Sequence, residues 1–449
     1  MSDSEDSGYS PLTSRWADET TPLLNTAQIP DHDEHVVTQQ LHAEPDDFPE
    51  GGFRAWSVVF GSWCAMVAAF GMLNSMGVIH AWLSSHQLSN HSYAEIGWIF
   101  STFTFLVYFG SVQIGPVFDT YGLKYTLIPG CVGLVISVFL FSICKEYWQY
   151  MLDWGILGGI SCCLIFTPAI VSIGHWFMQR RALATSLALT AGGIGGILFP
   201  IIILRLEGKI GFNRSLQVIG IVCTLLCATA VATIRTRLPF NTKSGASIDV
   251  LALVRDPVYA ATTAAIFFLE LALFIPVTYV TSYALDAGFA ADRAYGFLIA
   301  LNAASIVGRG LSGWLADAWG RFRVMLLTAA ACTVITLLWL AAGRSAALLT
   351  AFAAAFGFAS GSIVGVTPVC VAQICRTEDY GKRYGTTYFI VSFGTLVGIP
   401  LAGAILETGG AAPNYPGLIV FCAAVFGAGF AFFVAAYGMA VGWDFRVKF

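Results

Sequence analysis

The chain has 449 residues, 57% hydrophobic and only 11% charged, where a soluble domain carries about 25% charged residues. No soluble fold of this length hides that much apolar surface, so the solvent is lipid, and neither a soluble enzyme nor a nucleic-acid binder is expected. The net charge of -4 conceals a division: residues 1–50 hold twelve acids and the single base Arg15, leaving fifteen acids and twenty-two bases, a balance of +7, in residues 51–449.

Residues 1–50 therefore read as an acidic, disordered tail without a signal peptide. The tail carries Glu19-Thr-Thr-Pro-Leu23-Leu24, an acidic dileucine pattern, and Tyr9-Ser-Pro-Leu12, a tyrosine-type sorting pattern. These leave the plasma membrane as the favoured location and a vacuolar membrane as the other.

Apolar runs of about 20 residues have the length that spans a bilayer. Twelve follow the tail, at roughly 55–82, 94–117, 125–144, 148–173, 183–204, 216–234, 259–284, 294–315, 324–342, 346–372, 384–406 and 417–441. Many are rich in Gly and Ala, as expected of helices that pack backbone to backbone in lipid. With the tail placed in the cytoplasm, the cytoplasmic loops and C-terminal end hold fourteen Lys and Arg, the opposite loops six. Both termini are then cytoplasmic. The sequons at Asn90 and Asn213 fall on the opposite side as glycosylation candidates. His80, His86 and His91, near the outer end of the first span, read as loop polarity or, less simply, as a pH sensor.

The twelve runs form two sets of six. Gly115-Pro-Val-Phe-Asp119-Thr-Tyr-Gly122-Leu-Lys124 recurs 198 residues later as Gly313-Trp-Leu-Ala-Asp317-Ala-Trp-Gly320-Arg321-Phe-Arg323. Thr167-Pro168 recurs as Thr367-Pro368, and Pro200 as Pro400. Such duplication in a hydrophobic chain points to alternating-access transport. The expected organisation is a tail (1–50), a first six-helix bundle (51–234), a cytoplasmic linker (235–257), a second bundle (258–441) and a short cytoplasmic tail (442–449). In each hairpin Gly115 and Gly313 would permit close helix approach, and Gly122 and Gly320 a tight turn. Asp119 and Asp317 would cap a neighbouring helix or pair with Arg321 and Arg323, latching one state.

These motifs resemble the signatures of the major facilitator superfamily, whose twelve helices form two pseudo-symmetric six-helix bundles. Within it, Pro49-Glu50-Gly51-Gly52-Phe53-Arg54-Ala55-Trp56 is similar to the acidic-Gly-Gly-aromatic signature of the monocarboxylate porter family, in particular its fungal branch. Asn74-Ser75-Met76-Gly77-Val78, Arg180-Arg181-Ala182-Leu183-Ala184 and Gly398-Ile-Pro400-Leu-Ala-Gly403 support the likeness. It implies an arginine in the eighth span, here Arg309. The aspartate four residues earlier and the lysine of the first span, both present in proton-linked members, are replaced by Ser305 and Asn74. A carboxylate-binding charge is kept without that family's proton relay.

A charge inside the membrane costs at least ~2.5–3.5 kcal/mol and marks function. Arg309 lies about 12 Å inside the boundary set by Asp317, and Glu270 at similar depth. Glu270 and Arg309 would sense one another across adjacent helices, as a proton relay or as a fixed ion pair. Asp153 is a second proton-coupling candidate. Asn74, Asn302, Tyr279, Tyr283 and Tyr388 join Arg309 as substrate-binding candidates, together with the aromatic Phe274. The eleven cysteines sit in or beside apolar runs without metal spacing. No nucleotide loop or catalytic set occurs, so no cofactor is expected and an ion or substrate gradient supplies the energy. The leading expectation is a monomeric secondary transporter, in the lipid bilayer, of an anionic or amphipathic organic acid, leaning to efflux. Proton-coupled monocarboxylate uptake is the alternative, and a non-transporting sensor with the same fold is another class.

Overall fold

The computed structural model describes residues 49–177, 180–237, 251–375, 380–410 and 412–442. The sorting patterns of the tail and most of the linker lie outside the described residues. Among the described residues twelve helices are long and apolar enough to cross a membrane. They are α1 (Gly52–Asn74), α2 (Tyr93–Tyr121), α3 (Leu123–Phe141), α4 (Tyr147–Gly174), α5 (Ala191–Ile210), α6 (Phe212–Thr233), α7 (Pro257–Asp286), α8 (Ala291–Trp319), α9 (Arg321–Ala342), α10 (Ala346–Gln373), α11 (Tyr380–Glu407) and α12 (Tyr415–Val441). The chain is an all-helical, multi-pass membrane protein.

Local sequence sets the ends. Ser92 and Glu95 form a reciprocal capping box at the start of α2. Asp256 accepts from the Tyr259 amide ahead of Pro257 at the start of α7. Arg383 of α11 holds the other oxygen of Asp256 at 2.7 Å. Between α2 and α3 the chain turns on Gly122 at φ +87°, and between α8 and α9 on Gly320 at φ +103°, as both motifs require.

Three features interrupt the rods. After Asn74 the chain leaves helical geometry at Ser75 (φ −96°, ψ 0°) and resumes as a short helix, Met76–Ser85. A second short helix, Arg181–Leu189, leads into α5 and is separated from it by Thr190. Within α4, Met151–Gly158 is wound as a π-helix.

Small residues bring backbones together. An added Cβ at Gly71 of α1 would lie 2.7 Å from the Gly195 Cα of α5, and one at Gly361 of α10 would lie 2.6 Å from the Ser305 carbonyl of α8. Gly195→Val should therefore abolish a monodisperse detergent-solubilised fraction, whereas Gly208→Ala on the same helix, with nothing within 4 Å, should leave it intact. Overpacking of this kind costs about 1–3 kcal/mol or more.

The first six and last six helices meet along two seams. At the end opposite the Gly122 and Gly320 hairpins, the Ala94 amide of α2 donates to Glu407 Oε1 of α11 at 3.0 Å. In the same region an added Cβ at Gly97 would lie 3.2 Å from the Pro400 Cα. Ring pairs Phe105–Phe393, Tyr108–Tyr388 and Phe109–Phe389, at 5.4–5.6 Å, continue this seam inward. Toward the hairpins the packing loosens: added Cβ atoms at Gly115 and Gly310 would meet nothing within 4 Å, and at Gly313 only Ser186 Oγ at 3.9 Å. The expectation that Gly115 and Gly313 allow close helix approach is therefore corrected for this conformation, because an added Cβ has room at both, and the cross-half neighbours at this end are looser, Ser186 beside Gly313 and Val112 beside Gly385.

Candidate functional site

The middle of the molecule is organised by α8 facing the two interrupted helices of the first half. The Asn302 side-chain amide shares its two N–H donors among three carbonyls, Asn74 at 3.2 Å, Gly196 at 3.1 Å and Leu298 at 3.1 Å. Two turns along, Arg309 Nη1 donates at 2.8 Å to the Leu189 carbonyl, at the end of the helix that precedes Thr190. Thr190 keeps helical geometry (φ −61°, ψ −22°), so this carbonyl sits at a slight irregularity in a continuing helix, and the guanidinium satisfies it from the opposite half. Each break thus presents a carbonyl to a side chain from the opposite half.

Between those two contacts the polar ends of Asn74 and Arg309 pack closely on the backbone of Gly192, with Asn74 Nδ2 also donating to the Phe70 carbonyl at 2.9 Å. A Cβ built on Gly192 would lie 3.0 Å from Asn74 Nδ2 and 3.1 Å from Arg309 Nη1. Two donors from opposite halves therefore converge over bare backbone at the start of α5. Arg309 is only partly buried, and its Nε has no hydrogen-bond partner. Asn302 Oδ1 is likewise unpartnered. A group with two acceptor oxygens suits such a place, because a guanidinium holds a carboxylate through a fork of N–H donors.

Glu270 of α7 is buried, and Tyr108 of α2 donates to its Oε2 at 3.3 Å. Tyr108 packs tilted against Tyr388 at 5.4 Å, and Tyr388 lies 4.6 Å from Tyr384. Glu270 and Arg309 influence one another electrostatically but stand more than 4 Å apart, so they are not a fixed ion pair in this conformation. The carboxylate is instead held by a tyrosine from the opposite half.

The other sequence-based candidates disperse. Tyr279 is fully buried and donates to the Ile399 carbonyl at 3.0 Å, tying α7 to α11. Tyr283 donates to the Gly343 carbonyl at 3.1 Å and packs on Trp339 and Tyr415, among the outer ends of the last six helices. Asp153 lies in the π-helical stretch of α4 beside a cleft against α3, away from Arg309 and Glu270. Asn90 sits in the turn before α2 and Asn213 in the first turn of α6, where the Ser215 hydroxyl is spent on the Gly211 carbonyl. The side chains of Asp119 and Asp317 lie outside the described residues. Arg323 donates weakly to the Trp319 carbonyl at 3.5 Å, and Arg321 begins α9.

His80 corrects the loop reading: it is wholly buried in the short helix Met76–Ser85, ringed by Tyr93, Phe100 and Tyr279 at 5.0–5.9 Å. That helix continues past the end of the predicted span and tucks against α7, where the Thr278 hydroxyl meets Met76 Sδ at 3.0 Å. Residue type did not single out Tyr108 or Tyr384, and no sequence signal marks the Leu189 carbonyl. The signature at Glu50 does have a visible role. Its carboxylate accepts from the Arg180 amide at 3.0 Å, and its own amide donates to the Trp176 carbonyl at 3.3 Å, fastening the approach to α1 onto the loop after α4.

Comparison with known proteins places this arrangement in context. The model of the Major Facilitator Superfamily matches residues 57–343 and 293–440. A protein named as a riboflavin transporter in Saccharomyces cerevisiae is 34% identical over 92% of this chain and 82% of its own length. One named as an aspyridones efflux protein in Emericella nidulans is 32% identical over 84% of this chain and 77% of its own. The crystal structure of the nucleoside transporter NupG superposes with a TM-score of 0.69 at 14% identity, covering 86% of this chain and 99% of that one. The last likeness concerns the fold alone.

Proposed function

The chain belongs to the Major Facilitator Superfamily, whose members are transporters and not enzymes, and on that premise we propose that it is a secondary active transporter of a carboxylate-bearing organic metabolite, working outward from the cytoplasm. The observation that carries the substrate class is Arg309, a partly buried guanidinium with an unused Nε, converging with Asn74 on bare backbone between the two halves. An arriving carboxylate competes with the Leu189 carbonyl for that guanidinium. Efflux is supported by the relative named as an aspyridones efflux protein. The hairpins and both termini face the cytoplasm in this reading, so the open face in this conformation is the loading side. The plasma membrane is the proposed location.

Radiolabelled flux into proteoliposomes tests this, with lactate and pyruvate compared against a bulky amphipathic acid. Saturable flux of the bulky acid with flat small-acid traces is the expected result. Accumulation of the small acids alone would move the chain to the monocarboxylate porters.

Glu270 is the proposed proton carrier, because it is the buried carboxylate that bridges the halves through Tyr108. Glu270→Gln should transport at one rate whether or not a pH gradient is imposed, while the parent chain responds to the gradient. A mutant that keeps the full gradient response removes Glu270 from coupling.

A second reading has its own observation. Tyr108, Tyr384 and Tyr388 form an aromatic patch beside a buried acceptor, a surface suited to a flat heteroaromatic ring that donates N–H groups. A relative is named as a riboflavin transporter. Flux of riboflavin unaffected by Arg309→Ala would favour this reading over the first.

A further inference from the structure

From the cleft between α3 and α4 we infer a second binding site, open to the bilayer, for an apolar molecule that carries one hydroxyl head. The cleft has a volume of about 400 Å³ and is lined by Leu140, Ile143, Trp148, Leu152, Leu157 and Asp153, a size ordinary for small-molecule pockets. Leu140, Ile143, Trp148 and Leu152 are 40–63% exposed, so its walls face lipid. Asp153, at 7% exposure, is the acid among them, and neither of its carboxylate oxygens makes a hydrogen bond. A buried carboxyl without partners is costly, and such a group in a native fold calls for a ligand or a function.

The backbone explains how the acid comes to be there. The π-helical stretch Met151–Gly158 adds a residue to the turn, a distortion that recurs at functional sites. It seats Trp154 inside, stacked 4.9 Å from Phe103 of α2, and lets Gly155 approach the Ile99 carbonyl. Ser137 of α3, the polar side chain nearest the carboxyl, donates at 3.2 Å to the backbone carbonyl of Asp153. Tyr150 donates to the Cys144 carbonyl at 2.7 Å, closing the bottom of the cleft. Ser137 and Tyr150 thus spend their hydroxyls on backbone, and Gln149, also in the lining, spends its Oε1 on the Lys145 and Glu146 amides, so neither carboxylate oxygen is held by them.

The chemistry selects a hydroxyl. An ionised carboxylate needs a donor and a protonated one offers both a donor and an acceptor, and an alcohol satisfies either form. An ammonium fits only the ionised form and must itself be stripped of water to enter. The apolar remainder of the molecule lies along the leucines and Trp148, against the lipid.

The full-length protein in phosphatidylcholine vesicles doped with a diazirine-bearing sterol, irradiated and mapped by peptide mass spectrometry, tests the site. Label should concentrate on the segments that contain Leu140–Ile143 and Trp148–Leu157. Asp153→Ala should reduce it about tenfold, the factor carried by one hydrogen bond to a charged group. Asp153→Asn, whose amide both donates and accepts, should retain most of it. Should Asp153→Ala fail to fold, Ile143→Trp, which fills the cleft from an exposed position, should block labelling in its place. Label spread evenly over the lipid-facing helices, label indifferent to these substitutions, or Asp153-dependent label from a diazirine amine amphiphile and not from the sterol would each overturn the proposal.

Discussion

Arg309→Ala is expected to lower carboxylate flux by a factor of roughly 30 to 5,000, the range that corresponds to losing a buried charge partner worth about 2–5 kcal/mol. Two losses contribute. The substrate loses its cationic partner beside Asn74. The Leu189 carbonyl also loses the donor that reaches it from α8 at 2.8 Å. Arg309→Lys separates them, because a lysine keeps the charge but not the planar fork that binds two oxygens at once. The lysine variant should keep the folded yield of the parent while binding the substrate weakly, seen as a raised half-saturation concentration. Equal flux from the parent and Arg309→Ala would show that the guanidinium serves only the helix end.

Gly403→Leu is expected to drive the transporter toward the state open on the face opposite the hairpins. An added Cβ at Gly403 would lie 2.6 Å from the Ala94 amide, just where Glu407 caps the start of α2 from the other half. A leucine there wedges the α2–α11 seam apart. Overpacking of about 1–3 kcal/mol confined to the closed state shifts the conformational balance roughly 5- to 150-fold. Alkylation of Thr278→Cys, a position fully buried behind that seam, by a membrane-impermeant reagent applied from the Asn90 side should accelerate by a comparable factor. An unchanged rate would mean that the helices absorb the leucine without opening.

Much of the architecture is legible in the sequence because lipid imposes a length and a polarity that composition reports directly. All twelve spans are found, ten of them within a few residues of their predicted bounds and the first and fifth displaced by six to eight residues where a helix is interrupted, and both hairpin glycines take the positive φ that their motifs require. The interruptions are not legible. Ser75 and Thr190 are small hydroxyl residues inside apolar runs, and such residues occur equally in unbroken membrane helices, where the hydroxyl bonds back to the preceding turn. Ser75 indeed donates to Gly71 at 2.7 Å, and Thr190 to Leu187. The site was half legible for a related reason. Residue type marks Arg309, Glu270 and Asn74 as costly inside lipid. It does not tell that Asn302 and Tyr279 are occupied by carbonyls, since that depends on which backbone passes within 3.2 Å. His80 stands near the end of its apolar run beside the polar stretch from Ser84 to Ser92, so residue type suggests an outer-loop position, and only tertiary packing shows the ring enclosed.

The short helix Met76–Ser85 has a consequence for how the protein moves. Its covalent attachment is to α1, but Thr278 and the Val277 carbonyl of α7 press against Met76 and Gly77, and Asn302 of α8 grips the last carbonyl before the break. The gene duplication therefore does not mark the mechanical boundary. The same segment also packs on the first half, His80 against Tyr93 and Phe100 of α2 and Trp82 against Phe212 of α6, so it bridges the two bodies, with Ser75 as the bend at its root. Rocking of the halves would then have to release this helical stub from one of its two partners, and Ser75, inside a membrane span, is where the chain can bend to allow it.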